Sequence, residues 1–314
     1  MKMKQLLRRC HLVSALTLAV ASNAHSQAVA VGPQYDTTHV YVPLKDVNRF
    51  AASFLATFGG HSTKQVVATV TPTPSSTTSQ LLQTPVGTVS LFGFKTPIPY
   101  PFGAERTGYL VTDLDEAIKA AREAGADVLV TPFPDPIGKD AVVQWPGGVD
   151  MQLYWHTVKP SYPPFQTVPE NRVYVSTDRA DQFVSAFVQF SGGRVVSDEP
   201  AAPGLEIGRP KTTFRRIRIE SDFGKLTAFV TDGQLPYPYG REVSGYEVEN
   251  LALTLAKAKA SGALILVGPY YSDDRDAAMV EFPGGYTAEI HQLMQRRALT
   301  LTVKPAGIRH RAHD

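Results

Sequence analysis

The chain has 314 residues, a formal net charge of +2, 43% hydrophobic residues and a single cysteine. With cations and anions near balance and no basic stripe on a foldable segment, nucleic-acid binding is excluded. Cys10 is the lone cysteine, so the chain beyond it has no disulfide, no thiolate nucleophile and no Cys-ligated zinc.

Lys2, Lys4, Arg8 and Arg9 precede a short apolar run, Leu12 to Ala21, followed by small-residue exits at Ser22-Asn23-Ala24 and Ser26-Gln27-Ala28. Positive start, short apolar core and small-residue exit read as a secretory signal over residues 1–28. The run is shorter than the roughly 20 residues needed to span a bilayer. The expectation is a periplasmic or secreted protein with no stable membrane anchor after cleavage. Without this leader the net charge becomes −2.

From Thr38 to Pro43 the pattern alternates like a strand. Asp46 is placed to cap a helix in which Phe50, Phe54 and Phe58 recur every four residues, and Gly59-Gly60 ends it. Ser62–Val70 and Leu81–Phe94 are β-rich, with a polar loop, Thr71–Gln80, between them. The pattern then restarts. Thr107–Val111 reads as a strand, Thr112 or Asp113 as the cap of a helix over Leu114–Glu123, and Gly125 as its stop. Asp127–Val130, Ala141–Trp145 and Met151–Trp155 read as strands, with Pro146-Gly147-Gly148 in a turn. A proline-rich stretch, Val158–Glu170, reads as an extended linker.

Beyond the linker the sequence repeats. Thr38–Gly60 matches Asn171–Gly193 at an offset of 133 residues. Pro99–Gly103, Gly108-Tyr109, Gly125-Ala126 and Pro146–Gly148 match Pro236–Gly240, Gly245-Tyr246, Gly262-Ala263 and Pro283–Gly285 at a constant offset of 137. The expected organisation is a signal peptide (1–28), a first domain (34–157), a linker (158–170), a second domain (171–295) and a basic tail (296–314). The fold class is α+β: two tandem domains, each of two paired strand–helix–three-strand modules.

Four such βαβββ modules resemble a two-domain member of the vicinal oxygen chelate superfamily, which includes glyoxalase I, extradiol dioxygenases and bleomycin-resistance proteins. The residues that carry the resemblance are His39 in the first strand, the VTDLDEAIKAAREAGA segment (Val111–Ala126), and WPGGVDMQL and FPGGYTAEI near the copy ends. The resemblance implies one divalent metal ion and no other cofactor, with ligands from the first strand of each module and the last strand of each pair. Those places fall on His39, Arg106, Arg172 and Val243, and on Gln152 and Glu289. Only His39 and Glu289 are good ligand types, with Gln152 offering an amide oxygen; the arginines and valine depart from the pattern.

Two module pairings follow. Pairing within each copy, which the linker favours, lets Arg172 and Glu289 form an ion pair in the metal's place. Pairing the first module with the fourth brings His39, Glu289 and His291 into one metal site. His39 and Glu289 are thus the candidate catalytic and metal-binding residues. Arg106, Gln152, Tyr154, Arg172, His291, Tyr100 and Tyr237 are the candidate ligand-binding residues. The Tyr100/Phe102 and Tyr237/Tyr239 pairs either rim a pocket or pack module on module. His61 and His156 read as surface or loop residues. The functional expectation is an exported glyoxalase-like protein that binds a small oxygenated or aromatic molecule between modules, its metal site degenerate. The alternative is a metal-dependent lyase, isomerase or dioxygenase acting on a small oxygenated substrate.

Overall fold

The computed structural model describes residues 29–272 and 274–294; the leader and the basic tail lie outside them. The first copy runs β1 (Thr37–Tyr41), α1 (Val47–Phe58), β2 (His61–Ser62), β3 (Val66–Ala68), β4 (Thr77–Thr84) and β5 (Gly87–Phe94). Its second module is β6 (Thr107–Leu110), α2 (Leu114–Glu123), β7 (Asp127–Asp135), β8 (Gly138–Trp145) and β9 (Val149–His156). The second copy repeats this as β10 (Glu170–Val175), α3 (Ala180–Ser191), β11 (Arg194–Pro203), β12 (Thr213–Ser221) and β13 (Gly224–Val230). It closes with β14 (Val243–Glu247), α4 (Leu251–Ala260), β15 (Leu264–Ser272), β16 (Arg275–Phe282) and β17 (Tyr286–Leu293).

Each copy forms one sheet. The first has the order β2-β4-β5-β1-β6-β9-β8-β7 with β3 beside β4, and the second β11-β12-β13-β10-β14-β17-β16-β15. In both, the first strands of the two modules meet antiparallel at the centre, Thr37 opposite Gly108 and Glu170 opposite Gly245. Modules therefore pair within each copy. Of the two caps the sequence offers for the helix of module two, Thr112 and Asp113, the structure uses the second, Asp113 Oδ1 accepting from Glu116 N at 3.0 Å. Asp46 does not cap α1; its carboxylate accepts from Arg49 instead. The expected polar loop over Thr71–Gln80 is shorter than predicted, because Thr77–Gln80 pair with β5 and extend β4.

The cores follow a different pairing from the sheets. One joins α2 and the inner faces of β8 and β9 to α3, β10, β12 and β13. The other joins α1, β1 and β5 to α4, β16 and β17. Each core thus takes residues from both copies in similar number, and the aromatic contacts of Phe54 with Tyr246 and Trp145 with Phe187 cross between copies. Because strand side chains alternate, residues flanking these core positions point the other way. They line two cups, one on the outer face of each sheet.

Candidate functional site: two cups on one scaffold

The first cup is a cavity of about 300 Å³. Its wall includes His39 and Tyr41 from β1, Phe92 from β5, Asp140 from β8, and Gln152, Tyr154 and His156 from β9. His39 is buried; its Nδ1 lies 3.3 Å from Glu105 Oε1, an oxygen that also accepts from the Tyr41 hydroxyl. Tyr41 stacks on Phe92 at 5.1 Å, and the His39 ring meets Phe92 edge-on at 5.5 Å. Burial pushes the Asp140 carboxyl well above the usual range; Asp135 adds to this and the Gln152 amide, which donates to it, offsets part. Burial also lowers the His156 imidazole, favouring its neutral form. The Tyr154 hydroxyl donates to the Tyr35 carbonyl.

The second cup is lined by ion pairs around a cavity of about 280 Å³, with Glu170, Arg275 and His291 in its wall. Arg172 Nη1 lies 3.0 Å from Glu289 Oε1, without hydrogen-bond alignment at either atom. The Arg172 guanidinium also sits 4.6 Å above the Phe229 ring. Glu289 Oε2 is 2.6 Å from His291 Nδ1. Arg275 holds Glu170 at 2.7 Å, and Arg216 pairs with Glu206. Burial alone would raise both carboxyls. Arg172, His291 and Arg275 outweigh it at Glu289, and Arg275, Arg172 and His291 do so at Glu170, so both are held below the ordinary carboxylate range.

The repeat offsets align the cups position by position. Arg172 stands in the place of His39, Glu289 of Gln152, His291 of Tyr154, Ala277 of Asp140 and Arg275 of Gly138. The second first-strand position is glycine in both. A Cβ on Gly108 would lie 2.4 Å from His39 Nε2, and one on Gly245 would lie 2.9 Å from Glu289 Oε2. The close-approach position beside His39 therefore carries no side chain.

Several expected groupings need correction. His39 and Glu289 belong to different sheets. Each points away from the core shared by its neighbours Val40, Ala288 and Ile290, so the two face opposite sides of the molecule and cannot share a metal. The structure does bring Arg172, Glu289 and His291 together, and Gln152 and Tyr154 into the cup of His39. Arg106 is half-buried, its guanidinium 5.9 Å from the Tyr41 ring, and does not line the cup. Val243 packs with Tyr239 and Met279. Tyr100 and Tyr237 are 75% and 57% exposed; the inner rings, Phe102 and Tyr239, are buried, and Phe102 lines the cup. His156 is no loop residue: it ends β9 and lines the cup. Glu105, Asp140, Glu170 and Arg275 escaped the sequence reading. Strand alternation along β8 and β16 is the signal that could have flagged Asp140 and Arg275.

A divalent metal needs several imidazole or carboxylate donors converging on one point. In the first cup His39 is engaged by Glu105 and Asp140 by the Gln152 amide, and His156 stands at the end of β9. The second offers a carboxylate facing two arginines. Among the described residues no group of three or more His, Cys, Asp or Glu is placed to hold a metal ion. These donors do not fit one. No described helix is long and apolar enough to cross a membrane.

No protein-family model matches the sequence, and no curated protein matches it. Solved structures do resemble the fold. A mutant of 4-hydroxymandelate synthase from Streptomyces coelicolor aligns over 85% of this chain and 94% of its own, at TM-score 0.56 and 15% identity. A variant of homoprotocatechuate 2,3-dioxygenase from B. fuscum aligns over 86% and 74%, at 0.53 and 11%. A Mn(II)-bound glyoxalase from Novosphingobium aromaticivorans aligns over 86% and 84%, at 0.50 and 12%. With the paired βαβββ modules, this establishes that the chain has the vicinal oxygen chelate fold in a tandem, two-sheet form.

Proposed function

We propose that this chain is an exported binding protein that holds one small oxygenated or aromatic molecule in the first cup, without a metal. The donor set at His39, Gly108 and Gln152 carries this reading: two of the three places where the fold would present metal ligands hold a glycine and an amide. What remains is a concave, aromatic-walled cavity with a few convergent polar groups, the usual character of a small-molecule site. In the second cup the Arg172–Glu289 ion pair occupies the places of His39 and Gln152, which supports the first cup as the site. The composition and partner expectations complete it: a small-molecule ligand, no nucleic acid, and release from the membrane once residues 1–28 are cleaved. The intact mass of the exported chain checks cleavage; a mass retaining residues 1–28 would contradict it.

Calorimetric titration with 4-propylphenol, tyramine and 4-hydroxyphenylacetate tests the site. At least one should bind at one equivalent per chain. Gly108→Ala, whose methyl would displace His39 and narrow the cup, should weaken that binding at least about tenfold, given the cost of overpacking of roughly 1–3 kcal/mol. Binding of two equivalents, or none by any of the three, would sink the reading.

A further inference from the structure

We propose that the first cup selects a cationic ligand, a small aromatic amine whose ammonium pairs with Asp140. This rests on the binding function assigned above and adds the ligand's charge. Asp140 is 5% exposed, yet its side chain lines the cavity. Among the described residues no cation pairs with it; its one side-chain partner is the neutral Gln152 amide. Isolated buried carboxylates are costly and are normally paired.

The second cup pairs its own buried acids with arginines. Glu170 faces Arg275, Glu206 faces Arg216 and Glu289 faces Arg172. At the place equivalent to Asp140 the second cup has Ala277, so no acid is left without its arginine there. Asp140 lines its cavity without such a partner. The cation is supplied from outside.

The other charged groups of the cup do not fill the role. His39 is engaged by Glu105. Burial disfavours the charged form of His156. Lys64 lines the cavity from the exposed segment between β2 and β3, where its ammonium is solvated. Around Asp140 the wall is aromatic: Tyr154 lies opposite it in the β8–β9 register, and Phe102 packs on Phe133. Ring faces attract an ammonium and take up the ligand's own ring. A cavity of about 300 Å³ accommodates one ring with a short chain.

The test compares tyramine with its uncharged near-isostere 4-propylphenol and the anion 4-hydroxyphenylacetate on the mature full chain. Tyramine is expected to bind at least about tenfold more tightly than either, because an unpaired buried charge is heavily penalised. In Asp140→Asn the tyramine-to-propylphenol preference should fall to about one, with folding checked by the thermal transition. Equal binding of tyramine and 4-propylphenol to the parent protein would overturn the proposal and leave the binding function standing. So would a preference that survives Asp140→Asn. Failure of all three compounds would overturn both. The parent protein's ratio decides the matter even if the variant does not fold.

Discussion

Replacing Arg172 with methionine is expected to destabilise the protein by about 3–5 kcal/mol at neutral pH, the usual cost of stranding a buried charge. The guanidinium is almost fully buried and holds Glu289, itself inaccessible to solvent. Methionine fills much of the volume but leaves the carboxylate with His291 and the more distant Arg275, 3.9 Å away. The sign of the pH dependence follows. Glu289 and Glu170 have folded-state pKa values below their unfolded ones. Their stabilisation is therefore present above the ordinary carboxylate range and lost as pH falls through the folded values. Urea unfolding at neutral and acidic pH checks both points. Arg172→Met should lose most of its deficit in acid, where Glu289 is protonated, and Arg172→Met/Glu289→Gln should lie closer to the parent than the single variant. A single variant as stable as the parent at neutral pH would show that the pair contributes nothing.

Trp145→Ala should cost about 3–5 kcal/mol, the range for deleting a large buried aromatic side chain. Trp145 is buried in the first copy, its Nε1 3.1 Å from Met151 Sδ, and its ring packs on Phe187 and Phe190 of the second copy. The shared cores make a further demand: both copies must unfold in one transition in the variant as in the parent. Fluorescence and far-ultraviolet circular dichroism should give coincident unfolding curves. Two separated transitions would mean that the copies are energetically independent, contrary to cores built from both.

Much of this architecture was legible in the sequence because it depends on local periodicity and on repetition. The α2 helix, its Asp113 cap and the β8–β9 turn at Pro146-Gly147-Gly148 follow from spacing alone. So does the module order, through the two offsets. What lay beyond reach was how faces meet. The linker favours modules pairing within copies, as they do, but nothing local says that the cores pair across copies, and that arrangement is what separates His39 from Glu289. The register was also hidden. Arg106 lies opposite His39, with its carbonyl accepting from His39 N, but Gly108, two residues on, makes the close approach. Asp140 looked like an ordinary strand residue, and its meaning emerges only beside the second cup, where Glu170, Glu206 and Glu289 each face an arginine.

The most direct test of the account is the metal content of the purified mature protein, measured as isolated and after incubation with Zn²⁺, Mn²⁺, Fe²⁺ and Ni²⁺, beside His39→Ala and Glu289→Ala. No stoichiometric metal is expected in any of the three proteins. One equivalent of metal in the parent protein, lost in His39→Ala, would contradict it and return the first cup to metal-assisted chemistry.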